Sequence, residues 1–170
     1  MALTRINNQA LTNVTSDALP TGTVLQVKQA TMSGSGSATT TATSFTDVGL
    51  SVTITPKFAN SKFYVSVHHI IAIDNGSENT RVDYRCIGTH NSTDTQVYRM
   101  EYFGHDGTTP SRVQKNMSGS GLFEATTNTN DITFKCQLQK AASAGTESGT
   151  IRYKWYTGSK ATITVMEIAG

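Results

Sequence analysis

Charge is scarce in this chain: of 170 residues, 14 are Lys or Arg and 12 are Asp or Glu, leaving a formal net charge of +2. So small and scattered a surplus makes no basic stripe of the kind a phosphate backbone requires, and nucleic acid is not an expected partner. Long apolar runs are missing too. No stretch approaches the roughly 18 apolar residues of a membrane span, and the amino-terminal MALTRINNQALTNV lacks the cationic run and apolar segment of a secretion signal. Neither a membrane nor export is expected, and the protein should stay in the cytoplasm where it is made unless lysis releases it. Cysteine numbers only two, Cys86 and Cys136, each inside an apparent strand rather than at the spacing of a disulfide framework. Buried free thiols are the expectation.

The motifs of chemistry are absent as well. No nucleophile elbow G-x-S-x-G, no H-E-x-x-H and no phosphate-cradling G-x-x-x-x-G-K-[ST] occurs. The Gly-Ser repeats at 33–37 and 118–121 are not followed by a helix that would present backbone donors to a phosphate. His68 and His69 are neighbours on an expected strand, so their side chains leave opposite faces and cannot share one ion. His105-Asp106 and His90-Asn91-Ser92-Thr93-Asp94 read as solvated turns between strands. No catalytic residue, metal or cofactor is expected, and the protein is expected not to be an enzyme.

What the chain has instead is Thr, Ser, Asn and Gly in excess, with 36% apolar residues. That mixture favours strands and turns over helices. At this length about 70% of the unfolded chain's surface can be buried, so one domain needs no staple. Leu50, Val52 and Ile54 alternate with Ser51, Thr53 and Thr55 up to Pro56, which cannot donate to a ladder. The alternation resumes with Phe63, Val65 and Val67 against Tyr64, Ser66 and His68. His69-Ile70-Ile71-Ala72-Ile73 then reads as buried on both faces, and Asp74-Asn75-Gly76 as a turn. An earlier strand is expected over 22–31, a Thr-rich one from Ala38, and others at about 81–89, 95–103, 119–126, 131–140, 149–156 and 160–168. Short strands with turn signals between each pair predict an all-β fold, an antiparallel β-sandwich of jelly-roll-like form.

Residues 1–21 differ from the sandwich domain at 22–170. LTRINNQA (3–10) is followed by LTNVTSDA (11–18) and Leu19, a two-copy octad with Leu, Thr, Ile or Val, and Ala in register. Leu3, Ile6, Leu11, Val14 and Leu19 are too sparse to form a core, and the Asn-rich filling is a poor helix former. The expectation is an extended amino-terminal arm that gains order on another surface, with these five residues as its anchors. A sugar platform is the competing use of such a scaffold: Tyr98, Tyr102 and Trp155 are the conceivable glycan contacts. Against that, Ile151, Tyr153 and Trp155 share one strand face that is expected to point into the core.

The stretch Thr46-Asp47-Val48-Gly49-Leu50-Ser51-Val52-Thr53-Ile54-Thr55-Pro56, followed by Asn60-Ser61-Lys62-Phe63, resembles a β module of structural proteins of tailed bacteriophages, especially phages of marine bacteria and cyanobacteria. There a G-L-x-V-x-I-T-P strand precedes a short loop ending in S-K and a long apolar strand. The strands opening at Gly22-Thr23-Val24 and closing at Thr162–Ile168 look like the first and last of that module. The resemblance implies a non-enzymatic virion protein, assembled in the host cytoplasm, commonly as a homotrimer, and serving in head decoration or a tail fibre. No long shaft precedes the module in this sequence, so a capsid decoration or cement protein is expected, contacting other virion proteins, the major capsid protein first among them. A short tail-fibre tip or receptor-binding module for a host surface glycan is the alternative.

Overall fold

The structure, a computed structural model, describes residues 19–32, 38–76, 81–103, 111–124, 128–141, 150–153 and 158–170. Within them the chain forms strands β1 (Val24–Met32), β2 (Ala38–Thr40), β3 (Thr46–Ile54), β4 (Lys62–Gly76), β5 (Arg81–His90), β6 (Thr93–Phe103), β7 (Ser111–Glu124), β8 (Ile132–Ala141), β9 (Thr150–Tyr153) and β10 (Ala161–Ile168), and no helix. The arm anchors Leu3, Ile6, Leu11 and Val14, along with His105, Asp106 and Trp155, lie outside the described residues.

Period-two patterning makes the sandwich. In β3, Val48, Leu50, Val52 and Ile54 are buried while Asp47, Gly49, Ser51 and Thr53 face water. Phe63, Val65 and Val67 of β4, Ile132, Phe134 and Leu138 of β8, and Ile163 and Val165 of β10 meet these between the sheets. Each such side chain contributes about 1.5–3 kcal/mol by leaving water. Phe63, Phe123 and Phe134 form a cluster with ring centroids 5.3 to 6.4 Å apart.

Every pairing is antiparallel. The first sheet runs β1-β10-β4, with β7 on the far side of β4, and the second runs β3-β8-β5-β6. Because β4 is long, β10 occupies its stretch from Lys62 to His68 and β9 its stretch from Ile71 to Asp74, with β2 beside β9. Set β2 and β9 aside, and the eight remaining strands pair first with last, second with seventh, third with sixth and fourth with fifth. An antiparallel ribbon folded over on itself in that order is a jelly roll.

Three local expectations give way to tertiary pairing. Asp74-Asn75-Gly76 is not a turn, because β4 continues through it: Asp74 pairs with Thr150 and Gly76 with Ser111. The strand expected from residue 119 starts at Ser111, since SRVQKNM pairs along β4 despite its polarity. His90 is not solvated turn material; it is the buried last residue of β5, with Nε2 2.9 Å from Asn128 Oδ1. The turn is the two residues after it, Asn91 and Ser92, both at positive φ, which suits a tight hairpin.

The segment entering β1 and the segment leaving β10 meet at one end of the body. Thr23 N donates to Pro20 O at 3.1 Å in a turn whose Gly22 has φ +89°, Gly22 N donates to Ala169 O and Ala169 N to Thr23 O. Close by, the buried carboxylate of Glu167 accepts from Lys57 N (2.7 Å), Ser61 Oγ (2.7 Å) and Gln26 Nε2 (2.5 Å), tying β1 and the β3–β4 loop to β10.

Candidate functional site

Among the described residues the interior holds several buried polar groups. His69 points inward from β4, its ring stacked on that of Tyr84 (centroids 3.9 Å apart) with Tyr153 beside it (5.2 Å) and the two tyrosine rings 6.1 Å from each other, and neither ring nitrogen has a hydrogen-bond partner among the described residues. Burial, and to a lesser extent the charge of His68, lowers its pKa to about 3. His68, on the opposite face, is exposed, as the alternation requires. Cys86 stands directly across from Cys136 in the β5–β8 register; both are buried and free. A hydrogen bond with Cys136 and burial raise the Cys86 thiol far above its usual range, which keeps it protonated and inert. Burial likewise raises the hydroxyls of Tyr84, Tyr98 and Tyr153. Among the described residues no group of three or more His, Cys, Asp or Glu is placed to hold a metal ion.

The two outer faces differ in kind. On the second sheet, polar side chains bind one another across the strands. Arg99 pairs with Asp83, which also accepts from Gln139 Nε2 at 2.7 Å; Arg85 Nε donates to Gln137 Oε1 at 2.8 Å, and Gln137 Nε2 to Asp47 Oδ1 at 2.6 Å. The Arg85 guanidinium lies 3.8 Å over the Phe45 ring. Side chains on such a face answer one another, apart from the buried Oδ1 of Asp83, which has no hydrogen-bond partner among the described residues.

On the first sheet the register aligns apolar side chains from four strands. Val27 of β1 is opposite Met166 of β10, Met166 opposite Tyr64 of β4, and Tyr64 opposite Leu122 of β7. The next row outward is Val24, Ile168, Lys62 and Glu124, its last two joined by a 3.5 Å ion pair. Val24 and Val27 are each 53% exposed, Leu122 50% and Tyr64 38%, and these are the exposed large hydrophobic residues of the described body. On the other side of the strip the rows turn polar: Gln29, Thr164, Ser66 and Ser120 follow, with Gln29 Nε2 donating to Thr164 Oγ1. A contiguous apolar strip framed by polar rows is what a docking face looks like.

At the β1 edge of this face an open groove is lined by Leu19, Thr23, Val24, Leu25, Lys57 and Phe58. Leu19 is the one expected arm anchor that is described, and it lies in this groove. Of the conceivable glycan contacts, Tyr98 is turned inward, its ring 6.0 Å from that of Tyr84 and its hydroxyl buried, so it offers no platform to a sugar. Tyr102 sits in β6 opposite Val82. Ile151 and Tyr153 face the core as expected. The strip itself was visible in the sequence only as Tyr64, an aromatic in a series of wet-face positions that otherwise holds Lys62, Ser66 and His68.

No family model matches the chain, and no curated protein matches it. Among solved structures it is similar to VP2 of infectious bursal disease virus in a subviral particle, at 12% identity and a TM-score of 0.43, over 86% of this chain and 39% of that one. It is similar also to the TNF Eiger from S. frugiperda, at 10% identity and a TM-score of 0.47, over 84% of this chain and 93% of that one. The chain thus spans well under half the length of the VP2 chain it matches. Likeness at this level says nothing of what the chain binds.

Proposed function

We propose that this protein is a non-enzymatic structural protein of a virion, a capsid decoration or cement protein of a tailed phage that takes its place through its amino-terminal arm. The observation that carries the reading is the two-sidedness of the body: one outer face joins polar side chains to one another, while the other exposes an apolar strip beside the point where the arm joins. A body of this kind is made to be covered on one side. The burial of those polar groups supports a non-catalytic role, and the phage-module resemblance at residues 46–63 supports the setting. The partners are then further copies of the chain, as a homotrimer in that resemblance, and the major capsid protein.

Particles purified from cells infected with the parent virus, and with one whose gene lacks codons 2–18, test this by mass spectrometry of virion proteins and by imaging. The intact protein is expected on the head at fixed stoichiometry, and the shortened protein folded in the lysate yet lost from particles. Undiminished incorporation of the shortened protein, absence of the intact protein from virions, or its location on the tail would each overturn the proposal.

A further inference from the structure

The strip and the groove raise the question of what covers them, and the answer follows from length and chemistry. The turn at Pro20–Thr23 reverses the chain, and Leu19 lies in the groove beside Val24. From Leu19, Val14 is five residues back, about 16 Å at 3.3 Å per residue. The strip from Val27 to Leu122 crosses three inter-strand spacings, about 14 Å. Five residues of extended chain thus equal the width of the strip, so residues 14–18 are long enough to serve as a link away from the body. Leu11, Ile6 and Leu3 lie beyond it, with roughly 36 Å of chain still to run from Val14 to Leu3.

We infer that the apolar strip Val27–Met166–Tyr64–Leu122 seats the leading part of a neighbouring copy's arm, with Leu3, Ile6 and Leu11 as the side chains it receives. The chemistry matches on both counts. The apolar anchors meet the apolar row, and the filling between them, Asn7, Asn8, Gln9, Thr12 and Asn13, meets the adjoining row of Gln29, Thr164, Ser66 and Ser120, whose hydroxyls and amides bond such groups. Residues 1–18 carry only Arg5 and Asp17 as charged side chains, so seating the arm on an uncharged strip strands little charge. The octad repeat gains a reason: from Val14 the second octad is the link leaving its own body, and the first, with Leu11, is the segment that the next body receives. This inference takes the arm-mediated assembly proposed above and specifies its docking face.

Two full-length variants test it in solution by light scattering coupled to size exclusion. One carries Leu3→Glu, Ile6→Glu and Leu11→Glu in the arm; the other carries Tyr64→Glu and Leu122→Glu on the strip, with Leu122→Ser alone as a gentler version. All the altered strip positions are exposed, and thermal melts establish that each variant is folded. The wild type is expected to self-associate, each multiple variant to run as a monomer, and Leu122→Ser to weaken association. An equimolar mixture of the two monomeric variants should regain association, as pairs only, because one supplies an intact arm and the other an intact strip. A monomeric wild type, or either multiple variant keeping the wild-type mass, overturns the inference, the latter pointing to face-to-face packing of bodies. A mixture that stays monomeric overturns it in favour of an arm folded on its own copy. Self-association that behaves as expected in a protein missing from virions would sink the function proposed above and leave this docking intact.

Discussion

A neutral imidazole packed against two tyrosine rings, with no hydrogen-bond partner among the described residues, is the least forgiving residue of this core. The native His69 has its pKa lowered to about 3, whereas the unfolded chain takes up the proton near 6.5. Its share of stability is therefore complete above pH 6.5 and is lost as the pH falls through the window from 6.5 toward 3, amounting to about 2 kcal/mol by pH 5. Urea unfolding at pH 7 and pH 5 should show that loss in the wild type, and His69→Phe, which keeps the stack and removes the titration, should flatten it. An equal pH dependence in both proteins would assign the acid sensitivity to other groups. Alternation put His69 on the opposite face from His68 but held no sign of its aromatic neighbours, since Tyr84 and Tyr153 come from β5 and β9, distant in the chain.

At the scale of the strand, the open edges of the two sheets approach where β7 meets β6, and glycine makes the approach possible. A Cβ on Gly121 would stand 2.5 Å from the carbonyl oxygen of Val97 and 2.9 Å from its Cγ1. A backbone oxygen cannot swing aside, so Gly121→Ala should destabilise by about 1–3 kcal/mol, while Ser120→Ala on the outer face should stay within about 0.5 kcal/mol. Thermal melts of the pair decide it, and equal effects would show that the edges are free to part. Alternation alone was enough to find most strands: β3, the start of β4, β5, β6, β8 and β10 all repeat apolar and polar side chains with period two. It failed where partners override local character. SRVQKNMSGSG has no apolar stripe, yet it is strand because β4 runs the whole length beside it. The apolar strip was illegible for the same reason, as Val27, Tyr64, Leu122 and Met166 become neighbours only once four strands are in register.

For the whole molecule, the end where β1 begins and β10 finishes is tied together by one buried carboxylate. Glu167 accepts from the backbone of Lys57 and the side chains of Ser61 and Gln26, so its loss takes the acceptor from the Lys57 amide and the buried Ser61 hydroxyl and leaves Gln26 with Thr55 O alone. Glu167→Ala should cost about 3 kcal/mol, and Glu167→Gln, which keeps an acceptor, less. Chemical denaturation checks both, and a wild-type midpoint in Glu167→Ala would mean that water replaces the carboxylate without loss.

The pairing of the first strand with the last also sets when the body comes into being. Val24 lies against Ile168, so a chain emerging from a ribosome cannot complete the first sheet until β10, which begins only at Ala161, has also emerged. Closure by such distant partners is slow, on the order of milliseconds to seconds. A chain that lacks β10 consequently has no finished face to offer, and the apolar strip comes into being in one step with the closing of the sheet.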